Sequence, residues 1–528
     1  MQRFAALLDA LGLTASRNAK LRLIGDYLRA TPDPDRGWAM AALTGEIALP
    51  TVKPALFRAL VEARVDPTLF RLSYDYVGDL AETVALLWPD TDRDAPPPGL
   101  AETVERLQRL SRAEAPAVLA GLLQRLDVSG RYALVKLATG ALRVGVSARL
   151  ARVALAQAFG LAICDVEELW HGLAPPYQPL FDWAEGRGPR PDAGGQPVFR
   201  PFMLAHPLEA PERIDLGLYQ CEWKWDGIRV MAVVSGGARR LYSRDGNDIS
   251  GTFPDLMPAL DRDMALDGEL LVRSPDGGVG AFNDLQQRLN RKTVGRALME
   301  GSPAFIRAYD LLFDGKEDLR GQPLVNRRAR LEQLLHALDP ARIDLSPLVD
   351  AADLGRLDAL RRHPPHAGIE GVMLKRRDSP YVPGRVTGLW WKWKKEPLTA
   401  DCVLMYAQRG HGRRSSFYSD FTFGAWADGA LLPVGKAYFG FTDAELKWLD
   451  KWVRDHTVAR FGPVREVERA LVLEIAFDSV GPSPRHKSGL AMRFPRIARI
   501  RADKPAHEAD TLEAIAALAA GGLERKRA

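Results

Sequence analysis

A lysine, an aspartate and an arginine crowd around one glycine in Cys221-Glu222-Trp223-Lys224-Trp225-Asp226-Gly227-Ile228-Arg229. Apolar residues alternate with Lys224 and Asp226, which is the spacing of a strand. Positions two apart on a strand share a face, so this amine and carboxylate point the same way. Gly227 then permits a tight turn or a close approach of the backbone to a ligand. A lysine held among aromatic rings and other cations can lose its proton and act as a nucleophile. The same spacing also fits a surface strand with an i,i+2 charge pair, so the rest of the chain has to decide.

Six further segments carry groups that suit phosphate chemistry. Ser243-Arg244-Asp245-Gly246 comes first, then Leu266-Asp267-Gly268-Glu269-Leu270, with two acids on one strand face. Ala308-Tyr309-Asp310-Leu311-Leu312 and Gly368-Ile369-Glu370-Gly371-Val372-Met373 follow. Trp390-Trp391-Lys392-Trp393-Lys394-Lys395 has period two, which puts Lys392 and Lys394 on one face. An edge strand guarded by lysines reads the same way. From Arg485 to Lys504 the chain carries Arg485, Lys487, Arg493, Arg496, Arg499, Arg501 and Lys504 against one acid, Asp503. Such a run suits the backbone of a nucleic acid.

Taken in this order, the seven segments resemble the motifs of covalent nucleotidyltransferases, the superfamily of ATP-dependent DNA ligases, RNA ligases and mRNA capping enzymes. The resemblance is to ATP-dependent DNA ligases of the bacterial type with an N-terminal DNA-binding domain, and it extends over nearly the whole chain. It implies that Lys224 attacks the α-phosphate of ATP and carries AMP as a covalent intermediate. Glu222, with Trp223 beside it, is implied in nucleotide binding by accepting from the adenine amino group, and Tyr309 by stacking on the ring. Arg229 and Arg244 are implied at ribose and phosphate, where a planar fork donates two parallel bonds. Glu269 and Glu370 are implied near Mg2+, with Mn2+ as the alternative, and Glu269 near the nucleotide as well. Mg2+ takes few carboxylates, several waters and substrate phosphate. Asp226 resembles the acid that positions the 3′-hydroxyl at a nick. Lys392 and Lys394 are implied at the α-phosphate, and Arg493, Arg499 and Lys504 at the pyrophosphate leaving group. DNA contact is the competing role for Arg496 and Arg501. Asp310 is read as a structural hydrogen-bond partner, and the role of Lys375 is left open.

These segments need elements to hold them. The chain has 528 residues, room for two to four domains. A net charge of +5 and a pI near 9.0 suit a polyanionic partner without requiring one. Cys164, Cys221 and Cys402 are too far apart for paired zinc spacing or a disulfide framework. No apolar run reaches the length of a membrane span. The first residues read as an amphipathic helix rather than a signal peptide. Together with the resemblance, these features imply a cytoplasmic, nucleoid-associated bacterial monomer acting on nicked duplex DNA, with no membrane partner.

The expected fold is multi-domain. Residues 1–185 read as all-α, with apolar residues at helical spacing (Val104, Leu107, Leu110; Val118, Leu119, Leu122, Leu123), and the resemblance implies that they form a DNA-binding domain. Gly140 to Ser147 breaks these helices. It resembles a glycine-flanked arginine loop that meets DNA phosphates, which would make Arg143 a DNA contact; an interhelical turn is the other reading. Residues 186–199 are a Gly/Pro-rich linker. Residues 200–397 read as an α+β adenylation (nucleotidyltransferase) domain and 398–507 as a C-terminal OB-fold β-barrel. Residues 508–528 form a tail with a short helix. The function implied is ATP-dependent sealing of 5′-phosphate/3′-hydroxyl nicks, with a role in DNA repair. The alternative is an RNA ligase or capping-type nucleotidyltransferase.

Overall fold

A computed structural model describes the chain except residues 90–95, 141, 193–194, 276, 290, 292–293, 367, 410–416, 484–485 and 521–528. Arg485, Ala141, two linker residues and the end of the tail thus lie outside the described residues. The chain divides into two units by contact, Met1–Ala151 with Pro397–Ala528, and Arg152–Glu396. Among the described residues, no helix is long and apolar enough to cross a membrane.

Twelve helices occupy the described residues from Gln2–Leu13 to Gln178–Ala184. Their apolar stripes point inward, as the spacing predicts. Val104 and Leu107 are fully buried in Leu100–Gln108, and Leu119, Leu122 and Leu123 in Ala115–Gln124. Asp66, Asp79 and Asp127 start helices by accepting from the backbone N–H groups of Leu69, Ala81 and Gly130. The end of the expected linker is packed. Val198 and Phe199 are buried, and Pro197 O accepts from Tyr242 Oη at 2.5 Å.

The Arg152–Glu396 unit is built on two mainly antiparallel sheets. One holds Tyr219–Trp225, Ile369–Arg376 and Trp390–Lys394 side by side, with His206–Pro207 at its edge. The other runs Ala238–Ser243, Ile228–Ser235, Met264–Val272 and Ala304–Asp314, extended by Glu317–Asp318. The chain passes from the first sheet to the second at Asp226-Gly227. A Cβ at Gly227 would sit 2.4 Å from Leu270 O, so only glycine lets the chain come this close. An apolar layer of Phe199, Phe202, Met203, Met231, Val233, Tyr242, Tyr381 and Trp390 packs in this unit.

In the C-terminal part of the other unit, Leu398–Arg409 is the central strand. It pairs with Tyr418–Ala427 along one side. On its other side it pairs with Val472–Phe477 through its first half and Val464–Val467 through its second. Ala430–Ala437, Thr457–Phe461 and Arg496–Arg501 complete a seven-stranded antiparallel sheet. The helix Asp443–Asp455 packs Leu446, Leu449 and Val453 into its core. The described tail contains the helix Leu512–Ala520.

Candidate active site

Strand register brings the reactive side chains together. Lys224 is opposite Gly371, and Gly371 is opposite Lys394. Glu222 is opposite Met373, and Met373 is opposite Lys392. Paired residues share a face, so Glu222, Lys224, Lys392 and Lys394 all project from one side of this sheet. Gly371 has no side chain to separate the two lysines beside it. It adopts φ +153, and a Cβ there would lie 2.3 Å from Trp393 O.

Glu370 reaches the same side because the ladder slips. The register shifts between Ile369 and Gly371, which leaves Glu370 as an extra residue with no partner on the Lys224 strand. A bulge of this kind re-aims a side chain. Lys224 Nζ lies 2.7 Å and Lys394 Nζ 3.1 Å from Glu370 Oε2. Burial disfavours the charged carboxylate, but Lys224 and Lys394 outweigh it and hold the carboxyl down at about 2. Asp226 lies just past the Tyr219–Trp225 strand, in the turn, and its side chain hydrogen-bonds to Glu370. Its N–H donates to Gly368 O at 2.8 Å. Burial pushes Glu269 up to about 8, against the pull of Lys224 and Arg229. Burial lowers Lys392, and Arg385, Lys224, Lys394 and Arg244 add to that.

The bulge also explains Lys375, which regular strand spacing puts on the face away from Glu370. With the slip, both reach the site. Lys375 is almost fully buried, and its Nζ donates to Glu222 Oε2 at 3.0 Å. Glu222 Oε1 accepts from Gln220 Nε2 at 2.9 Å, and Arg328 Nη1 lies 3.6 Å from it. The Lys375 ammonium sits 4.1 Å from the centroid of Tyr309 and 4.6 Å from that of Trp390. Glu222, Lys375 and Tyr309 therefore form one end of the site.

Arg229 is anchored rather than free. Its Nε and Nη2 donate to the two oxygens of Asp267 at 3.0 and 2.6 Å, and Tyr381 Oη donates to Asp267 Oδ2 at 2.7 Å. Its guanidinium lies 4.5 Å from the ring centroid of Phe202. Asp310 plays the structural role expected of it, bound by Arg327 Nε and Nη2 at 2.8 and 2.9 Å. Alternation turns Trp223 to the reverse face of this sheet from Lys224, where it packs with Val372, Trp391 and Trp393. Lys375, Arg328 and Tyr381 were not assigned from sequence. Strand register reveals Lys375, and tertiary packing brings in Arg328 from the helix Leu324–Leu335 and Tyr381 from the segment after Ile369–Arg376.

The remaining basic residues lie in the other unit. Arg499 is exposed on Arg496–Arg501, with no ion-pair partner among the described residues. Arg496 pairs with Asp478 at 3.1 Å. Arg501 and Lys504 share Asp401, at 3.4 and 2.8 Å. Arg493 lies 5.1 Å from the Phe494 ring centroid. In the helical part, exposed Arg143 takes φ +44, uncommon for a residue with a side chain. It lines an open cleft of about 680 Å³ with Arg17, Lys20 and Ser147. Lys20 Nζ donates to the carbonyls of Val144 and Gly145 at 2.6 and 3.0 Å and so fixes this loop.

Among the described residues, no group of three or more His, Cys, Asp or Glu side chains is placed to hold a metal. The donor set on the Lys224 side is two carboxylates, Glu269 and Glu370. Two carboxylates leave coordination positions for waters and phosphate, which fits Mg2+.

Comparison with known proteins bears on this arrangement. Residues 202–394 match the family model described as ATP dependent DNA ligase domain. Residues 414–504 match ATP dependent DNA ligase C terminal region. The chain is 32% identical to a probable DNA ligase of Koribacter versatilis (strain Ellin345), over 97% of this chain and 95% of that one. It is 31% identical to DNA ligase 1 of Korarchaeum cryptofilum (strain OPF8), over 98% and 97%. A solved structure described as Pmar-Lig_Pre shares the fold, with a TM-score of 0.60 at 18% identity, over 94% of this chain and 99% of that one.

Proposed function

The chain belongs to the ATP-dependent DNA ligase family, and on that premise we propose how its residues divide the work of sealing 5′-phosphate/3′-hydroxyl nicks in duplex DNA. One observation carries the division. The Lys224 ammonium is held 2.7 Å from a carboxylate that a second lysine also contacts, so an incoming phosphate can take over part of that ion pair.

In the first step phosphate takes over the Lys224 side of its ion pair with Glu370, and the ammonium gives its proton to water. Lys224 Nζ then attacks the α-phosphorus of ATP, a P–N bond forms, and the bond to pyrophosphate breaks. In the second step the 5′-phosphate oxygen of the nick attacks the same phosphorus. The P–N bond breaks, a pyrophosphate linkage joins AMP to DNA, and Lys224 regains its proton. In the third the 3′-hydroxyl, positioned by Asp226, attacks the 5′-phosphorus, releasing AMP and closing the backbone. Through all three steps the chain mainly positions groups and neutralises charge.

Lys392 and Lys394 lie along the phosphates, with Arg244 beside Lys392. Glu222, held by Lys375, accepts from an adenine amino group, and Tyr309 offers its ring to the base. Arg229 reaches ribose or phosphate with the donors that Asp267 leaves unused. Glu269 and Glu370 would hold Mg2+, or Mn2+ in its place, which supplies neutralisation of phosphate charge when bound. Arg493, Arg499 and Lys504 orient pyrophosphate. Lys504 must then exchange Asp401 for phosphate, whereas Arg499 has no ion-pair partner among the described residues. We read the C-terminal sheet as an OB barrel and the cleft at Arg143 as a seat for DNA phosphates. A monomer serving DNA repair in the cytoplasm fits these parts.

The test is incubation with labelled ATP, then with nicked duplexes. The expected result is a covalent AMP adduct, lost in Lys224→Ala, that is discharged on DNA with sealing. An adduct that survives the substitution would show that another residue is the nucleophile. Sealing of RNA strands alone would favour the RNA-ligase reading.

A further inference from the structure

Two cations of the C-terminal sheet share one carboxylate oxygen. Lys504 Nζ donates to Asp401 Oδ2 at 2.8 Å, and Arg501 Nη1 lies 3.4 Å from the same atom. The backbone fixes this acceptor in place. Asp401 N donates to Asp510 Oδ2, and Asp510 N donates to Asp401 O, both at 2.8 Å. The Asp401 side chain is only 13% exposed, and its Oδ1 has no hydrogen-bond partner among the described residues. One oxygen therefore carries all the pairing of this charge.

The two cations are held differently. Lys504 lies in the turn after the strand Arg496–Arg501, and Asp401 is its one ion-pair partner among the described residues. Arg501 ends that strand and has a second anchor. Its Nε and Nη2 donate to exposed Asp503 at 3.2 and 3.1 Å, which leaves Nη1 as the nitrogen aimed at Asp401. Register keeps Arg501 on the acid's side of the sheet. Arg499, two places back, is opposite Glu474, and Glu474 is opposite Asp401.

If Lys504 orients pyrophosphate, it has to leave Asp401. An ion pair at the surface exchanges readily, but a carboxylate this enclosed is costly to leave without a cation. We infer that Arg501 is a positioning residue. As Lys504 leaves for pyrophosphate, the Arg501 guanidinium, held by Asp503, closes its 3.4 Å gap to Asp401 and keeps that carboxylate paired. Arg501 then touches neither nucleotide nor DNA, and it acts by making Lys504 easy to release. This rests on the reading of Lys504 as a pyrophosphate ligand.

The experiment measures self-adenylation of the full chain over a range of ATP concentrations, without DNA. The ATP requirement rises as the fraction of chain with Lys504 released falls. Arg501→Gln leaves Lys504 alone on Asp401, so the half-maximal ATP concentration should rise about fivefold, with a smaller change at saturation. Arg501→Lys retains a cation and should stay near the parent. Asp401→Asn releases Lys504 and should lower the ATP requirement, and adding Arg501→Gln to it should change nothing further. An equal loss from Arg501→Gln in both backgrounds would place Arg501 on the nucleotide and overturn the inference. Unchanged adenylation with weaker nick sealing would place it on DNA and do the same. If Arg501→Gln does not fold, as judged by its unfolding midpoint, Asp401→Asn decides alone, and an ATP requirement that rises or stays level overturns the inference. An unchanged ATP requirement in Lys504→Gln would instead overturn the reading of Lys504 beneath it.

Discussion

The two ends of the active site are built on opposite principles. At the base end, Glu222, Lys375 and Asp267 are at most 1% exposed, and each has fixed partners. At the phosphate end, the side chains of Lys224, Glu370 and Lys394 are 23%, 20% and 44% exposed, and two ammonium groups compete for one carboxylate. Buried ion pairs are costly to separate, whereas exposed ones contribute little and exchange readily. The end that only has to hold a ring is locked. The end proposed to pass a phosphoryl group along keeps its charges shareable.

The largest expected effect is chemical. Lys224→Ala should remove the AMP adduct altogether, whereas Lys392→Ala should slow its formation without abolishing it. Labelled-ATP trapping on both variants measures this, and loss of the adduct in Lys392→Ala alone would break the assignment of roles along the phosphate end. Next in size is a stability effect. Asp267→Ala leaves the Arg229 guanidinium buried without its carboxylate, which should cost about 3–5 kcal/mol in denaturant unfolding. Lys394→Ala, cutting an exposed pair, should cost less than about 1 kcal/mol. Equal costs would erase the contrast between the ends.

A third effect comes from a buried group outside both ends. His171 packs against Phe199 and Tyr242, and its Nε2 has no hydrogen-bond partner among the described residues. Burial, with Arg152 adding to it, pushes the imidazole down to about 4. The folded chain therefore holds His171 neutral where the unfolded chain, at about 6.5, takes up a proton. Stability from this source is fully present above pH 6.5 and is lost as pH falls toward 4, by up to about 3 kcal/mol. His171→Phe should flatten that part of the stability–pH curve. Parallel curves for parent and variant would show that burial of His171 makes no pH-dependent contribution to stability.

What was legible in the sequence followed from periodicity. Alternation put Lys224 on a strand and paired Lys392 with Lys394, and three- and four-residue spacing placed the N-terminal helices. The same alternation turns Trp223 away from Lys224. The bulge at Glu370 was not legible, because a slipped register is a property of two strands together. Lys375 was unassigned for that reason. Arg229 and Asp267 meet because their strands are neighbours, and Lys20 meets Val144 across 124 residues. Such partners are fixed by packing and leave no local pattern.

The smallest expected effect tests how far the locked end is purely structural. Tyr381 Oη is one of three donors on Asp267, and the other two come from Arg229. Tyr381→Phe removes that donor and leaves the carboxylate satisfied in part, so unfolding should become easier by about 1.5 kcal/mol. If the network only holds Arg229 in place, adduct formation should slow by no more than about tenfold, the equivalent of roughly 1.4 kcal/mol on the barrier. A loss well beyond tenfold with little change in stability would mean that the base end also tunes the chemistry, and the contrast between a fixed end and a shareable one would fail. A loss of stability alone would place Tyr381 with Asp267 and Arg327 among the residues that hold the site without touching what it binds.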